Sequence, residues 1–311
     1  MYTRETYFVL GAGASVPLGL PSAEQLRLKI LNVDLNSLPG STALFGPEDR
    51  ALINELRKKY FFATDATIDT FLFHHEKYRE VARVLITFLL IKHHDPPAGF
   101  AETTDNWYSW LFAKIVNGTK DPNDIYKKTR GKCITFNYDT TLDHFLLKSL
   151  THYFNREPEF FKPFFESWGP HHIHGKLGDW PWNSSSARNL LNDEVSKGSA
   201  ISAEKIRDIA KGLKFWFEDS PTPEYRYREF ENNAAMVFLG FGYHDDNLSK
   251  MFTRNLTQPT RWDTPRYLYG TGFNMNTVEL EELKRRFSSR MIADPFGSLE
   301  FLRRYQSDIA I

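Results

Sequence analysis

Five short apolar runs, each stopped by glycine, asparagine, aspartate or histidine, constrain this chain more than any other feature. They lie at 6–10 (TYFVL), 132–136 (KCITF), 171–174 (HHIH), 235–239 (AMVFL) and 266–269 (RYLY), with a further candidate at 289–292. Runs of this length, rich in β-branched and aromatic residues, read as buried strands. Helical patterns with caps separate them. Ser22 and Gln25 form a capping box for 23–31. Asp139 can cap 140–150, and Asp245 or Asp246 can cap 247–256. Asn276 or Thr277 opens 277–288, whose VELEELKRR places acid early and base late, as the helix dipole favours. Strands alternating with helices predict an α/β fold, a Rossmann-like three-layer parallel sheet.

The stretch from about 35 to 128 departs from this alternation. It holds no convincing strand, and 66–92 and 104–117 are long helical patterns. It reads as a helical subdomain inserted after the first βα unit. A second, smaller insertion is expected at about 183–232, where 202–217 is amphipathic. The expected core is therefore 1–34 and 129–311 within one domain spanning 1–311. At 311 residues and 41% hydrophobic, the chain has enough apolar surface for a large core with a subdomain.

Charge narrows the function classes. Lys+Arg and Asp+Glu both number 39, so the basic excess that phosphate neutralisation requires is missing and direct nucleic-acid binding is not expected. The run Lys284-Arg285-Arg286 with Arg290 reads as a solvated helix face. A single cysteine, Cys133, excludes an intrachain disulfide framework and a cysteine-rich zinc site. Its surroundings, KCITF, place it in a buried strand. The N-terminus is too charged for a signal peptide, and the longest near-apolar run, VLITFLLI at 84–91, is too short to span a membrane. A cytoplasmic protein with no membrane partner is expected.

In an open parallel sheet, ligands bind at the carboxyl ends of the strands. The first run leads into Gly11-Ala12-Gly13-Ala14-Ser15, and the second into Asn137-Tyr138-Asp139. The third ends at His174-Gly175, the fourth at Gly240-Phe241-Gly242, and the fifth at Gly270-Thr271-Gly272. The first loop departs from the dehydrogenase pattern G-x-G-x-x-G, because position 16 is valine and Pro17, Gly19 and Pro21 delay the helix to about Ser22. Asp34 stands at the distance where a dehydrogenase carries its ribose-binding acid, but LNVDLNS is a weak strand. A plain tight turn remains open for GAGAS, as does a capping role for Asp139 and a core role for His174. His171, His172 and His174 could bind a metal, yet no carboxylate pattern completes a metallohydrolase signature, so no metal is expected. His74-His75 and His93-His94 read as surface residues.

Taken in order, GAGAS, TFNYDTTLD, HIHGKL and FLGFGYHDDNL resemble the sirtuin-like family. Segments 35–130 and 181–232 have no counterpart. The resemblance places Gly11, Ala12, Gly13 and Ser15 at the family's pyrophosphate loop, Asn137 and Asp139 at its N-x-D, and His174 at its catalytic histidine. It leaves Gly240, Phe241, Gly242, Gly270 and Thr271 as further cofactor contacts. Protein-deacylating sirtuins carry a four-cysteine zinc ribbon that one cysteine cannot build, so no zinc is expected. The chain is more similar to bacterial sirtuin-like NAD hydrolases of antiphage defence, which lack the ribbon.

That resemblance implies an NAD glycohydrolase with Asn137 and His174 as catalytic residues and NAD as substrate. It also implies self-association and a separate sensor or helicase-like ATPase subunit as partner. Cleavage of the bond between ribose C1′ and nicotinamide releases a neutral leaving group and needs no general acid. It needs positioning, an oriented water and a proton acceptor. Asn137 carries donor and acceptor atoms for the first two tasks, and the imidazole of His174 suits the third. A deacylase or ADP-ribosyltransferase, and a non-catalytic module that binds NAD or ADP-ribose, are the alternatives.

Overall fold

β1 (Thr6–Leu10) and β4 (Ala235–Leu239) are buried at every residue, as the unbroken apolar runs TYFVL and AMVFL require of strands covered on both faces. They are central neighbours in a six-stranded, all-parallel sheet in a computed structural model that describes residues 5–37, 40–63, 67–91, 106–117, 119–183, 201–218, 234–251, 267–287 and 290–309. The other strands are β2 (Gly131–Thr135), β3 (His171–His172), β5 (Tyr267–Thr271) and β6 (Met291–Asp294), in the order β3-β2-β1-β4-β5-β6. Leu10 pairs with Thr135 on one side and Leu239 on the other, so three strands end level at the carboxyl edge.

Helices cover both faces. Along β1, Phe8 and Leu10 join a cluster with Cys133, Val237 and Leu239, while Val9 faces Ile134, Met236 and Phe238 on the other side. The first face is covered by α6 (Trp107–Val116), α8 (Thr141–Phe154), α9 (Lys162–Trp168) and α13 (Ser298–Arg304). The second is covered by α11 (Asp245–Met251) and α12 (Thr277–Arg286). This is the three-layer α/β arrangement that the alternation predicts. Among the described residues, no helix is long and apolar enough to cross a membrane.

A separate apolar cluster binds α1 (Ala23–Asn32), α2 (Ser41–Leu44), α3 (Pro47–Phe62), α4 (Ile68–His74) and α5 (Arg79–Ile91). α10 (Ala203–Ala210) joins it from the second insertion, through Ile206 and Ile209. The short α7 (Ile125–Lys128) and α6 pack with the sheet instead, through Ile125, Trp107 and Leu111. The described apolar side chains of α1 to α5 thus pack in one cluster, while those of α6 and α7 pack on the sheet.

Element ends differ from the sequence reading for identifiable reasons. β3 stops at His172 rather than 174, because its partner β2 ends at Thr135 and only the Ile173 N–H still reaches the Thr135 carbonyl. β5 runs on through Gly270 and Thr271, because β6 continues beside it with Thr271 opposite Asp294. The pattern at 66–92 breaks at His75, whose backbone (φ −133°, ψ 67°) is not helical. The predicted 202–217 helix ends at Ala210, and Leu213 bridges to Gly175. His74 is exposed, whereas His75 stacks on Phe71. His93-His94 and the predicted segments at 184–200, 219–232 and 252–256 lie outside the described residues.

Phe238 is fully buried, and its ring meets Phe241, Tyr243 and Phe287 at centroid separations of 5.4–5.9 Å. Phe238→Ala should lower the unfolding free energy by about 3–5 kcal/mol, read from urea denaturation.

Candidate functional site

The chain reverses direction across the sheet between β1 and β4, and in this strand order the crevice beyond that point is the expected ligand site. After β1, residues Ala12–Leu18 form a 3-10 turn that Gly19 ends in the left-handed conformation. α1 then starts behind Ser22, with the predicted capping box to Gln25 in place.

The glycines of the first loop serve its contact with the β4 loop. The Gly11 N–H donates to the Leu239 carbonyl at 3.0 Å, and the Gly13 N–H to the Gly240 carbonyl at 2.9 Å. Gly240 itself has φ +55°, and a Cβ there would lie 1.9 Å from the Ala14 nitrogen. A Cβ on Gly11 or Gly13 would lie 2.5 Å from the Gly240 oxygen or 2.8 Å from its Cα. Two backbones thus touch where no side chain fits. The Ala14 N–H is also engaged, by the Gly11 carbonyl at 2.9 Å. Of the first three N–H groups of the turn, that of Ala12 is left to meet an anionic ligand.

The other glycine-rich ends divide. Gly240 donates its N–H to Thr271 Oγ1 at 2.8 Å, so these two predicted contact residues do meet. Phe241 is a core residue, 4% exposed, with its ring against Phe136 and Tyr243. Gly242 is exposed. Gly270 sits inside β5, where a Cβ would fall 2.1 Å from Met291 Cε and 2.2 Å from the Tyr243 hydroxyl, so its small size serves packing. Asp34 is exposed and its carboxylate accepts from the Asn36 N–H in a turn, so no second strand presents a ribose-binding acid there.

Asn137 is buried at the end of β2, one strand from the glycine loop. Its Nδ2 donates to the Gly11 carbonyl at 3.0 Å and to Ser15 Oγ at 3.3 Å. A carbonyl can only accept, which fixes the orientation of the amide. Its Oδ1 is buried with no partner among the described residues. Ser15 Oγ donates to Asp139 Oδ2 at 3.0 Å. Asp139 Oδ1 accepts from the Thr141 N–H at 3.1 Å and from the Thr141 hydroxyl, so Asp139 caps α8 as expected while also holding the loop. Trp107 Nε1 donates to the Ala14 carbonyl at 2.8 Å from the far side. Gly11, Ser15, Asn137 and Asp139 therefore form one hydrogen-bonded unit.

His174 follows β3 in a turn. Its ring packs edge-on to Phe136 at 5.3 Å and lies 6.3 Å from Tyr138, the two residues that flank Asn137. Nε2 faces Asn247 Oδ1 of α11 at 3.2 Å, which places the imidazole proton on Nε2 and leaves the lone pair on Nδ1. Burial pulls its pKa down to about 4; the Asn247 bond opposes that shift and Lys250 adds to it. The imidazole is neutral at neutral pH.

His171, His172 and His174 do not converge. Their rings meet the Ser167 carbonyl, the Asn137 carbonyl with Asp143, and Asn247 respectively. β3 ends at His172, so His174 lies beyond the strand. Among the described residues, no three histidine, cysteine or carboxylate side chains are placed to hold a metal.

Sequence reasoning passed over Asn247, Asp143 and Asp69. Asn247 stands inside the quoted FLGFGYHDDNL, and Asp143 inside TFNYDTTLD, so position alone marked both. Asp69 of α4 accepts from the Tyr138 hydroxyl at 3.4 Å. Burial, reinforced by the charges of Asp246 and Glu218 and opposed by that hydrogen bond, pushes its carboxyl up to about 7. Nothing in the pattern around Asp69 announced this contact between the helical subdomain and the site.

Fold and site together define a Rossmann-like α/β protein with a polar constellation at its switch point. No family model matches the chain, and no curated protein matches it.

Two outcomes follow from this geometry. Gly13→Ala should cost about 1–3 kcal/mol, and Gly240→Ala more, because its backbone is left-handed as well as crowded; thermal unfolding measures both. Unfolded histidine takes up a proton near pH 6.5, whereas His174 does so near 4. Between these values the unfolded state binds more protons, so stability falls on acidification, by up to about 3 kcal/mol from His174. His171, lowered for the same reason, adds to the fall, while Asp69 works oppositely, its contribution fading as pH rises through about 7. In His174→Asn, the drop in melting temperature from pH 6.5 to 4 should be smaller.

Proposed function

We propose that this chain is an NAD glycohydrolase of the sirtuin-like type, splitting NAD into nicotinamide and ADP-ribose. The observation that carries the reading is the meeting of three strand ends at one edge. The glycine loop after β1 is bonded to Asn137 after β2, and the His174 ring after β3 packs on the residues flanking Asn137. The ordered motifs GAGAS, TFNYDTTLD and HIHGKL support it from the sequence side.

In this reading the Ala12 N–H and the start of the 3-10 turn meet the pyrophosphate, a site suited to an anion by that N–H and the local dipole. The Asn137 amide holds the loop through Nδ2, and its Oδ1 is an acceptor for a hydroxyl or water. The neutral His174, with Nε2–H fixed by Asn247, takes a proton at Nδ1. Water adds its oxygen to ribose C1′ as the bond to the pyridinium nitrogen breaks. The bonding pair stays with nicotinamide, and the water proton passes to His174 or solvent. A role in antiphage defence by depletion of NAD, self-association and control by a separate sensor or helicase-like ATPase subunit belong to the same proposal.

Incubation of purified protein with NAD should release nicotinamide, measured by liquid chromatography. His174→Ala should lower the rate by about 10²- to 10⁴-fold, and Asn137→Ala should lower it as well. Because burial keeps His174 neutral down to about pH 4, the acid limb of kcat/KM should fall near 4 rather than near 6.5. Release that is equal in wild type and both variants would assign cleavage to other residues. Release that requires an acylated protein would identify a deacylase, and tight NAD binding without release, unaffected by His174→Ala, a binding module.

A further inference from the structure

His172 of HHIH has its ring held at both nitrogens inside the site. Its side chain is 5% exposed and that of Asp143 is 1% exposed. Nδ1 lies 2.9 Å from the Asn137 backbone carbonyl, and Nε2 lies 3.1 and 3.3 Å from the two Asp143 carboxylate oxygens. The carbonyl can only accept. An ionised carboxylate can only accept as well. Two ring N–H groups would satisfy both acceptors, which an imidazolium paired with the Asp143 carboxylate provides. Burial raises the pKa of Asp143, but the His172 ring outweighs it, with Lys176 Nζ at 3.7 Å adding to the effect, and the carboxyl stays below its ordinary value. His171, with Lys132 beside it, faces the pair, and Cys133 and Tyr108 lie within the field of Asp143.

Placement explains what the pair acts on. β3 pairs His172 with Thr135, two residues before Asn137, and Asp143 projects from the first turn of α8. The ring thus bridges α8 to the carbonyl of the residue whose amide clamps the glycine loop.

We propose that His172 and Asp143 are positioning residues, an imidazolium–carboxylate pair that fixes the Asn137 backbone and through it the geometry of the reaction site. The inference rests on the NAD glycohydrolase reading for its effect on rate, but the protonation of His172 does not. A one-ångström displacement of a reacting group can cost a hundredfold in rate without abolishing binding. Loss of the pair should accordingly appear in kcat, while KM stays nearly constant.

The experiment has two arms on the full chain. Imidazole nitrogen NMR of wild type at neutral pH should show both His172 ring nitrogens protonated, and D143N should retain the proton on Nδ1 alone, its new amide donating to Nε2. Steady-state nicotinamide release should show kcat lowered by about 10- to 100-fold in H172A and D143A, with KM changed by less than about threefold. D143N, which keeps both hydrogen bonds without the charges, should recover most of that loss. A wild-type ring with either nitrogen unprotonated would overturn the proposal, as would unchanged kcat in folded H172A and D143A. If the alanine variants do not fold, the NMR comparison of wild type with D143N decides. Wild type that releases no nicotinamide would sink the proposed activity alone, since the NMR arm needs no turnover.

Discussion

The contact of the β1 loop with the β4 loop is the constraint from which the site follows. Gly13 N–H to Gly240 O and Gly11 N–H to Leu239 O join two backbones at the point where the sheet changes direction. A side chain on Gly11, Gly13 or Gly240 would push them apart. With that contact closed, the 3-10 turn Ala12–Leu18 presents Ser15 and the Gly11 carbonyl to Asn137 at the end of β2. The side chains of Asn137 and Asp139 then complete a frame that the loop could not hold alone. Hydrogen bonds in such a buried frame are modest individually, but leaving one partner unmatched costs more than the bond contributes. This makes the frame an all-or-none unit.

The frame has supports on both sides. Trp107 and Tyr108 of α6 reach Ala14 and Thr141, tying the outer layer to the loop and to α8. On the other side, Phe136, Phe241, Phe238 and Tyr243 form a chain of rings running from His174 into the core. Phe241 illustrates the division of labour in the Gly240–Gly242 turn. Its backbone belongs to the loop contact, while its side chain anchors that turn in the apolar layer.

Strand identity, strand direction and the set of loops at the carboxyl edge were legible because fully buried parallel strands are unbroken apolar runs and their ends are marked by Gly, Asn and His. Loop glycines were legible as positions but not as roles. A pyrophosphate cradle and a close backbone crossing both demand glycine, and only the partner loop distinguishes them. Gly270 shows the same ambiguity, since Met291 and Tyr243 arrive from elements distant in sequence. His174 was legible from its place before Gly175, whereas Asn247 and Asp69 were not. Their contacts are made across layers, and periodicity carries no information about which layer a polar side chain will meet.

HHIH condenses the same lesson into four residues. A strand throughout would put His172 and His174 on one face and suggest a shared ligand. β3 instead stops because β2 offers it no further partner, and the chain turns between the two rings. One ring then meets a carbonyl and a carboxylate. The other is enclosed by Phe136 and Tyr138 and meets an amide oxygen, surroundings that disfavour charge. Two chemically identical side chains are thereby placed in different surroundings, one beside a carboxylate and one buried and neutral at neutral pH. The separation of roles between neighbouring titratable groups is set by environment rather than residue type. Here the environment is created by a strand that ends two residues early.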